Sequence, residues 1–297
     1  MKGEIATIIN YCTNDFRFLK LCIEEASRFS SQIIVPVCDH FFDGTEENRN
    51  LLNHSYEQNQ NAEFIEFAYD LDQPYGIHPT VKKDDKDWAH YWHSTSRYVG
   101  YHFVRPEIES VLFIDVDEIP DGIRMRKWLE QFNYGEYEAI RFTSYFYFRE
   151  ARFQAKKIIR NPLLMKKSAI EAELLLDLHE RKGSFLSVKG AKLEDVSGLD
   201  GMPLFHHYSW VKTKEEMLKK VLSWGHRHDK NWEELIEKEF SHEFNGIDSL
   251  YGIEYQERKP FCDPLRVEIP TCTAKGNFDN VRYIDRKSLF KYQFSHD

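Results

Sequence analysis

"VLFIDVDEIPDG" spans Val111–Gly122. Four apolar residues, Val111 to Ile114, run straight into Asp115, Val116, Asp117 and Glu118, so a stretch fit for burial ends in three carboxylates within four positions. A short apolar run of this kind predicts a buried strand. Residues two apart in an extended chain point to the same side, so Asp115 and Asp117 are expected to face one point. Two carboxylates that close raise each other's pKa. A divalent cation removes that penalty, and carboxylates suit Mg²⁺ or Mn²⁺. A solvated turn after a strand is the plainer reading of the same residues.

Working outward, the residues before this stretch alternate in pattern. "IATIIN" (Ile5–Asn10), "QIIVPV" (Gln32–Val37) and "AEFIEFAY" (Ala62–Tyr69) predict three earlier strands. Asn14 or Asp15 is the expected N-cap of a helix that carries Phe18, Cys22, Ala26 and Phe29 at helical spacing. "DWAHYWHSTSRYVGYHFV" predicts a second helix, with Trp88, Trp92, Val99 and Phe103 on one face. Strand–helix alternation with short apolar strands implies a parallel sheet covered by helices. Ligands bind such sheets beyond the carboxyl ends of the strands, which is where Asp115 falls. Past residue 122 the pattern loosens. "YEAIRFTSYFYFR" and "PLFHHYSW" predict strands, and Thr213/Glu216 and Asn231/Glu234 have the spacing of capping boxes that open two helices. The tail after Cys262 has few periodic cues.

The totals bound the answer. At 297 residues the chain can bury a large core, and one domain is expected over 1–297. Its parts are a nucleotide-binding half (1–118), a mixed half (119–260) and a C-terminal extension (261–297). The net charge of −9 speaks against general nucleic-acid binding. The five cysteines, Cys12, Cys22, Cys38, Cys262 and Cys272, are odd in number and lack zinc-site spacing, which predicts buried thiols in a reducing compartment. No apolar stretch reaches signal-peptide length or the roughly 20 residues needed to cross a bilayer. A soluble, cytoplasmic protein is expected, with room for peripheral contact at the inner face of the membrane.

The apolar strand, the Asp-x-Asp and the acidic residue after it resemble the metal-binding motif of nucleotide-sugar glycosyltransferases with the GT-A fold. Three further segments resemble that family. "VCDHFFDGT" (Val37–Thr45) is similar to the family's Asp closing the second strand and a second Asp before Gly-Thr; this implies Asp39, and less directly Asp43, near the nucleoside. "RYVG" (Arg97–Gly100) resembles the family's Arg-Asn-x-Gly, with Tyr98 in place of Asn. "FHHYSWVK" (Phe205–Lys212) looks like the downstream segment whose His completes the metal shell; His206 and His207 point oppositely in a strand, and the match favours His207. The resemblance spans most of residues 4–226 and places the chain near the family-two-like glycosyltransferases. It implies an α/β, GT-A (Rossmann-like), mainly parallel sheet flanked by helices, with a mixed acceptor-side half. It also implies Mn²⁺ or Mg²⁺ on Asp115, Asp117 and His207 or His206, with Asn10, Asp39, Asp43, Arg97, Asp115, Trp210 and Lys214 around the nucleotide.

The activity implied is transfer of a sugar from a nucleoside-diphosphate sugar, UDP-linked by expectation, to a hydroxyl of a glycan, lipooligosaccharide or glycoprotein. An inverting enzyme needs a carboxylate base; the candidates are Asp177 and Glu180 in "LLLDLHERKG" and Glu150 after "SYFYFR", with Asp177 the first choice and Glu150 the second. "AELLLDLHERKG" also reads as an amphipathic helix. Two other classes compete. A haloacid-dehalogenase-type phosphatase uses Asp-x-Asp after an apolar strand with the first Asp as nucleophile. A binding module could keep the fold without turnover.

Overall fold

Strand β1 (Ile5–Asn10) buries both its faces: Ile5 and Ile9 pack to one side, Ala6 and Ile8 to the other. Such a strand belongs inside a sheet covered twice. The computed structural model describes residues 4–69, 87–188, 192–223, 225–274, 276 and 278–285, and β1 lies at the centre of its parallel part. β2 (Gln32–Cys38), β3 (Glu63–Phe67) and β4 (Ser110–Asp115) extend it, with β2 and β4 parallel to β1 on either side and β3 parallel to β2. Helices α1 (Phe16–Ala26) and α2 (Arg49–Gln58) cover the Ile9 face, and α3 (Trp88–Tyr101) covers the Ile8 face with Trp88, Trp92 and Val99.

After β4 the chain turns back into antiparallel pairing. β5 (Glu118–Pro120) and α4 (Gly122–Gln131) lead to β6 (Ala139–Phe148), β7 (Glu150–Ala155) and β8 (Ile159–Lys166). β8 runs antiparallel to both β4 and β6 and so welds the second half to the first. Then follow α5 (Glu180–Ser187), β9 (Leu193–Val196), β10 (Phe205–Trp210), α6 (Lys214–Ser223) and α7 (Trp232–Phe240). β10 lies parallel to β6 and antiparallel to β5. With β11 (Tyr255–Glu257) and β12 (Val281–Ile284), the described residues form one twelve-stranded sheet. The expected fold class, a mainly parallel α/β sheet with a mixed second half, is what is observed.

Differences from expectation have local causes. Asp15 sits at the N-cap position of α1, but its side chain makes no cap bond, because Lys212 Nζ holds its carboxylate at 2.5 Å. "AELLLDLHERKG" is not one helix. A 3₁₀ turn (Ala172–Leu176) stops at Asp177, whose carbonyl accepts from Ser94 Oγ at 3.0 Å, and α5 begins anew at Glu180. The Thr213/Glu216 capping box forms, with Thr213 N–H donating to Glu216 at 2.9 Å and Glu216 N–H to Thr213 Oγ1 at 3.3 Å. At Asn231 the cap bond from the Glu234 N–H forms at 3.4 Å, but the return bond to Glu234 comes from Asn231 Nδ2 at 2.9 Å rather than from the backbone. The tail supplies β12, parallel to β3; a four-residue edge strand carries too little periodicity to be read. Residues 286–297 of the expected extension lie outside the described residues. All five cysteines are free; Cys22 and Cys38 are buried as expected, but Cys12 and Cys262 are only partly buried and Cys272 is exposed. Among the described residues no helix is long and apolar enough to cross a membrane.

Candidate functional site

Alternation along β4 decides where the motif points. Val111 and Phe113 lie in the core under α3, so Asp115 emerges on that same side, directly beside Asn10 in the parallel register. There Asp115 Oδ1 is 3.1 Å from His93 Nε2 on α3, and Oδ2 accepts from Arg181 on α5 at 2.8 Å. The strand ends at Asp115, and Val116 and Asp117 form a turn. Asp117 therefore swings towards β10 and α6, with Oδ1 3.4 Å from His207 Nε2 and Oδ2 3.3 Å from Lys220 Nζ. The expectation that the two carboxylates face one point is corrected: the period-2 argument fails because the extended backbone stops between them. Both still line one cleft of about 260 Å³, shared with Asn10, Asn14, Asn161 and Glu180. It opens beyond the carboxyl ends of β1 and β4.

Each motif carboxylate thus has one imidazole and one permanent cation. Burial pushes the Asp115 carboxyl up, but Arg181 and His93 outweigh it and hold it at about 2. Burial likewise opposes ionisation of Asp117, and Lys220 and His207 carry it well below the carboxylate range. His93 is pulled down by burial and raised more by Asp115 and Glu180, to about 9. Beneath them Glu118 has no exposed surface. It accepts two bonds from Arg181, at 2.7 and 2.8 Å, and one from the Asp115 N–H at 3.0 Å. Arg181 is the clamp that lets the buried Glu118 and the half-buried Asp115 coexist.

The other expected residues divide sharply. His207 lines the cleft. His206 faces away, its Nδ1 2.7 Å from Tyr147 Oη and its ring stacked on Phe261 at 4.2 Å. Asp39 closes β2 as expected, but its Oδ1 accepts the Tyr69 N–H at 2.7 Å and lies 2.8 Å from His40 Nδ1. Asp43 accepts from the Thr45 N–H and hydroxyl, at 2.9 and 2.7 Å, in a turn that Gly44 completes with a φ of 90°. Arg97 is buried and reaches Ser94 Oγ at 2.9 Å and His93 Nδ1 at 3.4 Å, so it braces the histidine behind the cleft. Trp210 packs in the core with Met217 and Trp232. Lys214 pairs with Glu237 on the surface at 2.7 Å. Asp177 caps the His179 N–H at 2.7 Å, and Glu150 pairs with Arg152 at 2.9 Å. None of these eight side chains lines the cleft.

Sequence reasoning missed His93, Arg181, Lys220, His90 and His226; it named Glu180 only as a base candidate beside Asp177, and the structure brings that carboxylate to the cleft. His90, His93 and Arg97 follow a three–four spacing that marks one helix face, a signal present in the sequence. Arg181 and Lys220 lie 66 and 103 residues from their partners, and nothing local announces them. The donor chemistry expected for a metal also needs correcting. Asp115 and Asp117 are each held by a chain cation, His207 faces Asp117 and Asn161, and among the described residues their donor atoms do not converge. Among the described residues, the group of His, Cys, Asp or Glu side chains whose ligand atoms do converge, within 4.8 Å of one another, is His90, Glu180 and His226.

Searches of family models and of curated proteins found no match. Among solved structures the chain is similar to 4-diphosphocytidyl-2C-methyl-D-erythritol synthase from Anaerococcus prevotii DSM 20548, at 10% identity and a TM-score of 0.41 over 73% of this chain and 94% of that one. It is similar to Mycobacterium tuberculosis glucosyl-3-phosphoglycerate synthase in complex with Mn²⁺, uridine diphosphate and phosphoglyceric acid, at 13% identity and 0.35 over 65% and 68%. It is also similar to the glycosyltransferase GlyE of Streptococcus pneumoniae TIGR4, at 14% identity and 0.37 over 80% and 64%. At these values the likeness assigns no activity to this chain.

Proposed function

We propose that this protein is a glycosyltransferase that moves a sugar from a nucleoside-diphosphate sugar, UDP-linked by its resemblance, to a hydroxyl of a glycan, lipid-linked or protein-linked acceptor. The observation that carries the reading is the pairing of Asp115 and Asp117 with Arg181 and Lys220 at the floor of one cleft, beyond the parallel strands. Nucleotides bind sheets of this kind at that edge. In sugar transfer the leaving diphosphate gains negative charge. Arg181, Lys220 and a protonated His93, fixed by carboxylates in a partly dry site, are prearranged dipoles and charges of the sort that stabilises it. Asn10 Oδ1 and Asn14 Oδ1 are buried without a hydrogen-bond partner among the described residues, and both residues line the cleft. Two waiting acceptors suit the hydroxyls and N–H groups of a sugar nucleotide.

No step is assigned to a metal on the Asp-x-Asp pair, because those residues do not assemble a shell. Asp177 and Glu150 stand away from the cleft, so neither receives the base role. The phosphatase reading is weakened by Asp115: both its oxygens are held, where a nucleophile needs one free. The test is release of nucleoside diphosphate from a panel of sugar nucleotides, with and without acceptor glycans. Turnover lost in Asp117→Asn while the variant stays folded supports the reading. Phosphate release from generic esters with no action on sugar nucleotides would replace it with the phosphatase, and tight binding without turnover with a binding module.

A further inference from the structure

We infer that His90, Glu180 and His226 form a site for a divalent transition-metal cation, Zn²⁺ before Mn²⁺, at the wall of the cleft. The inference stands whether or not the cleft binds a sugar nucleotide. The three ligands come from three places: the first turn of α3, the first residue of α5 and the segment after α6. Their ligand atoms lie within 4.8 Å of one another. His90 Nδ1 is already 3.3 Å from Glu180 Oε1. Two ligands at about 2.1 Å from a tetrahedral ion stand about 3.4 Å apart, so this pair needs no rearrangement. The rings of His90 and His226 meet edge to face with centroids 4.8 Å apart.

Three features of the surroundings point to a built site. Glu180 holds φ at 57°, a left-handed conformation that a residue with a Cβ rarely adopts; such backbone gathers where function fixes a side chain. Position 225 is glycine, and a Cβ there would stand 2.8 to 3.1 Å from three atoms of the His90 ring. A larger residue would displace the ligand. His226 Nδ1 is 2.9 Å from Asp229 Oδ2, the carboxylate–histidine arrangement that orients an imidazole and leaves Nε2 for a metal.

Two imidazoles and one carboxylate suit Zn²⁺ best, with Mn²⁺ held more weakly, and do not suit Mg²⁺ or Ca²⁺, which take oxygen ligands. Because all three residues line the cleft, the ion keeps open positions on the cleft side, unlike a closed structural site. Glu180 Oε1 also lies 3.6 Å from His93 Nδ1, whose other nitrogen meets Asp115. The site is therefore linked to the Asp-x-Asp floor through one imidazole, without sharing a ligand with it.

The test is equilibrium dialysis of the metal-stripped full chain against Zn²⁺ and Mn²⁺, with bound metal counted, in the wild type and in His226→Ala, Glu180→Gln and Asp117→Asn. The expected result is one equivalent bound by the wild type, affinity reduced at least tenfold in His226→Ala and Glu180→Gln, and wild-type affinity in Asp117→Asn. His226 is partly exposed, so its variant is expected to stay folded by circular dichroism. Co²⁺ loaded into the wild type should give the visible absorption of a low-coordinate nitrogen–oxygen site, lost in His226→Ala. Metal lost in Asp117→Asn but kept in His226→Ala would overturn the assignment and return the ion to the motif. Absence of stoichiometric binding by the wild type would also overturn it. Neither result bears on whether sugar nucleotides are turned over, which the release assay reads separately.

Discussion

The two halves of the sheet make unequal contributions to the cleft. The parallel half, β1 to β4 with α3, supplies Asn10, Asp115 and His93, all placed by strand ends and one helix face. The antiparallel half and its helices supply the partners that make the carboxylates tolerable: Arg181, His207 and Lys220. The first set gives the site its position and the second gives it its charge balance. Acid residues at the end of a buried strand are therefore half of a device, completed from far along the chain.

The largest effect should come from breaking that balance at its buried centre. Arg181→Met leaves Glu118, wholly buried, without its cation, and such a loss costs about 3–5 kcal/mol. Chemical denaturation measures it; a loss below about 1 kcal/mol would mean the clamp is incidental. Next come two of the three lysines of α6, Lys220 and Lys214. Lys220→Met should lower turnover about 10²–10³-fold by removing a preorganised charge beside Asp117. Lys214→Met, whose lysine pairs with Glu237 at the surface, should leave it unchanged. Equal losses in the two would erase the distinction between cleft and surface.

Smaller, and of opposite sign on adjacent residues, is the pH response of the two histidines of β10. Burial, then Arg124, pulls His206 from 6.5 down to about 3. The unfolded chain takes up a proton that the folded chain refuses, so stability present above pH 6.5 drains as pH falls towards 3. The slope is at most about 1.4 kcal/mol per unit. His206→Gln should flatten that slope in denaturation between pH 6.5 and 4; an unchanged slope would mean His206 does not set it. His207 is pulled down by burial and raised more by Asp117, so its contribution is present at low pH and lost as pH rises. The smallest effect is expected for Asp43→Asn, which touches only its own turn: within about 0.5 kcal/mol in stability, with unchanged nucleotide binding.

How much of this was legible follows from the same division. β1, β2, β4 and α3 declare themselves because a strand buried on both faces and a helix with one apolar face leave periodic traces in contiguous residues. Asp115 could be placed at the end of β4 for that reason, and His207 separated from His206 by strand alternation. The turn at Val116–Asp117 was invisible, because a strand end in mid-motif leaves no period. Asp39, Asp43, Arg97, Trp210 and Lys214 carry the right chemistry for a nucleotide, yet Asp39 ties the end of β2 to Tyr69 beyond β3, Asp43 goes to a local turn, Arg97 and Trp210 to the interior and Lys214 to the surface. Glu180 could be named as a base candidate but not placed at the cleft, because the helical pattern of "AELLLDLHERKG" breaks where Asp177 is tied to Ser94 on α3. That contact is tertiary and no local rule contains it.

The most direct test of the central claim is thermal unfolding of the wild type with a panel of nucleoside diphosphates, in the presence of Zn²⁺ or Mn²⁺, set against Lys220→Met. A ligand that binds only the folded state adds about 2.7 kcal/mol at a hundredfold excess over its dissociation constant. The account predicts a rise in Tm for one nucleoside diphosphate, much reduced in Lys220→Met. No shift with any of them, or the same shift in both proteins, would contradict it.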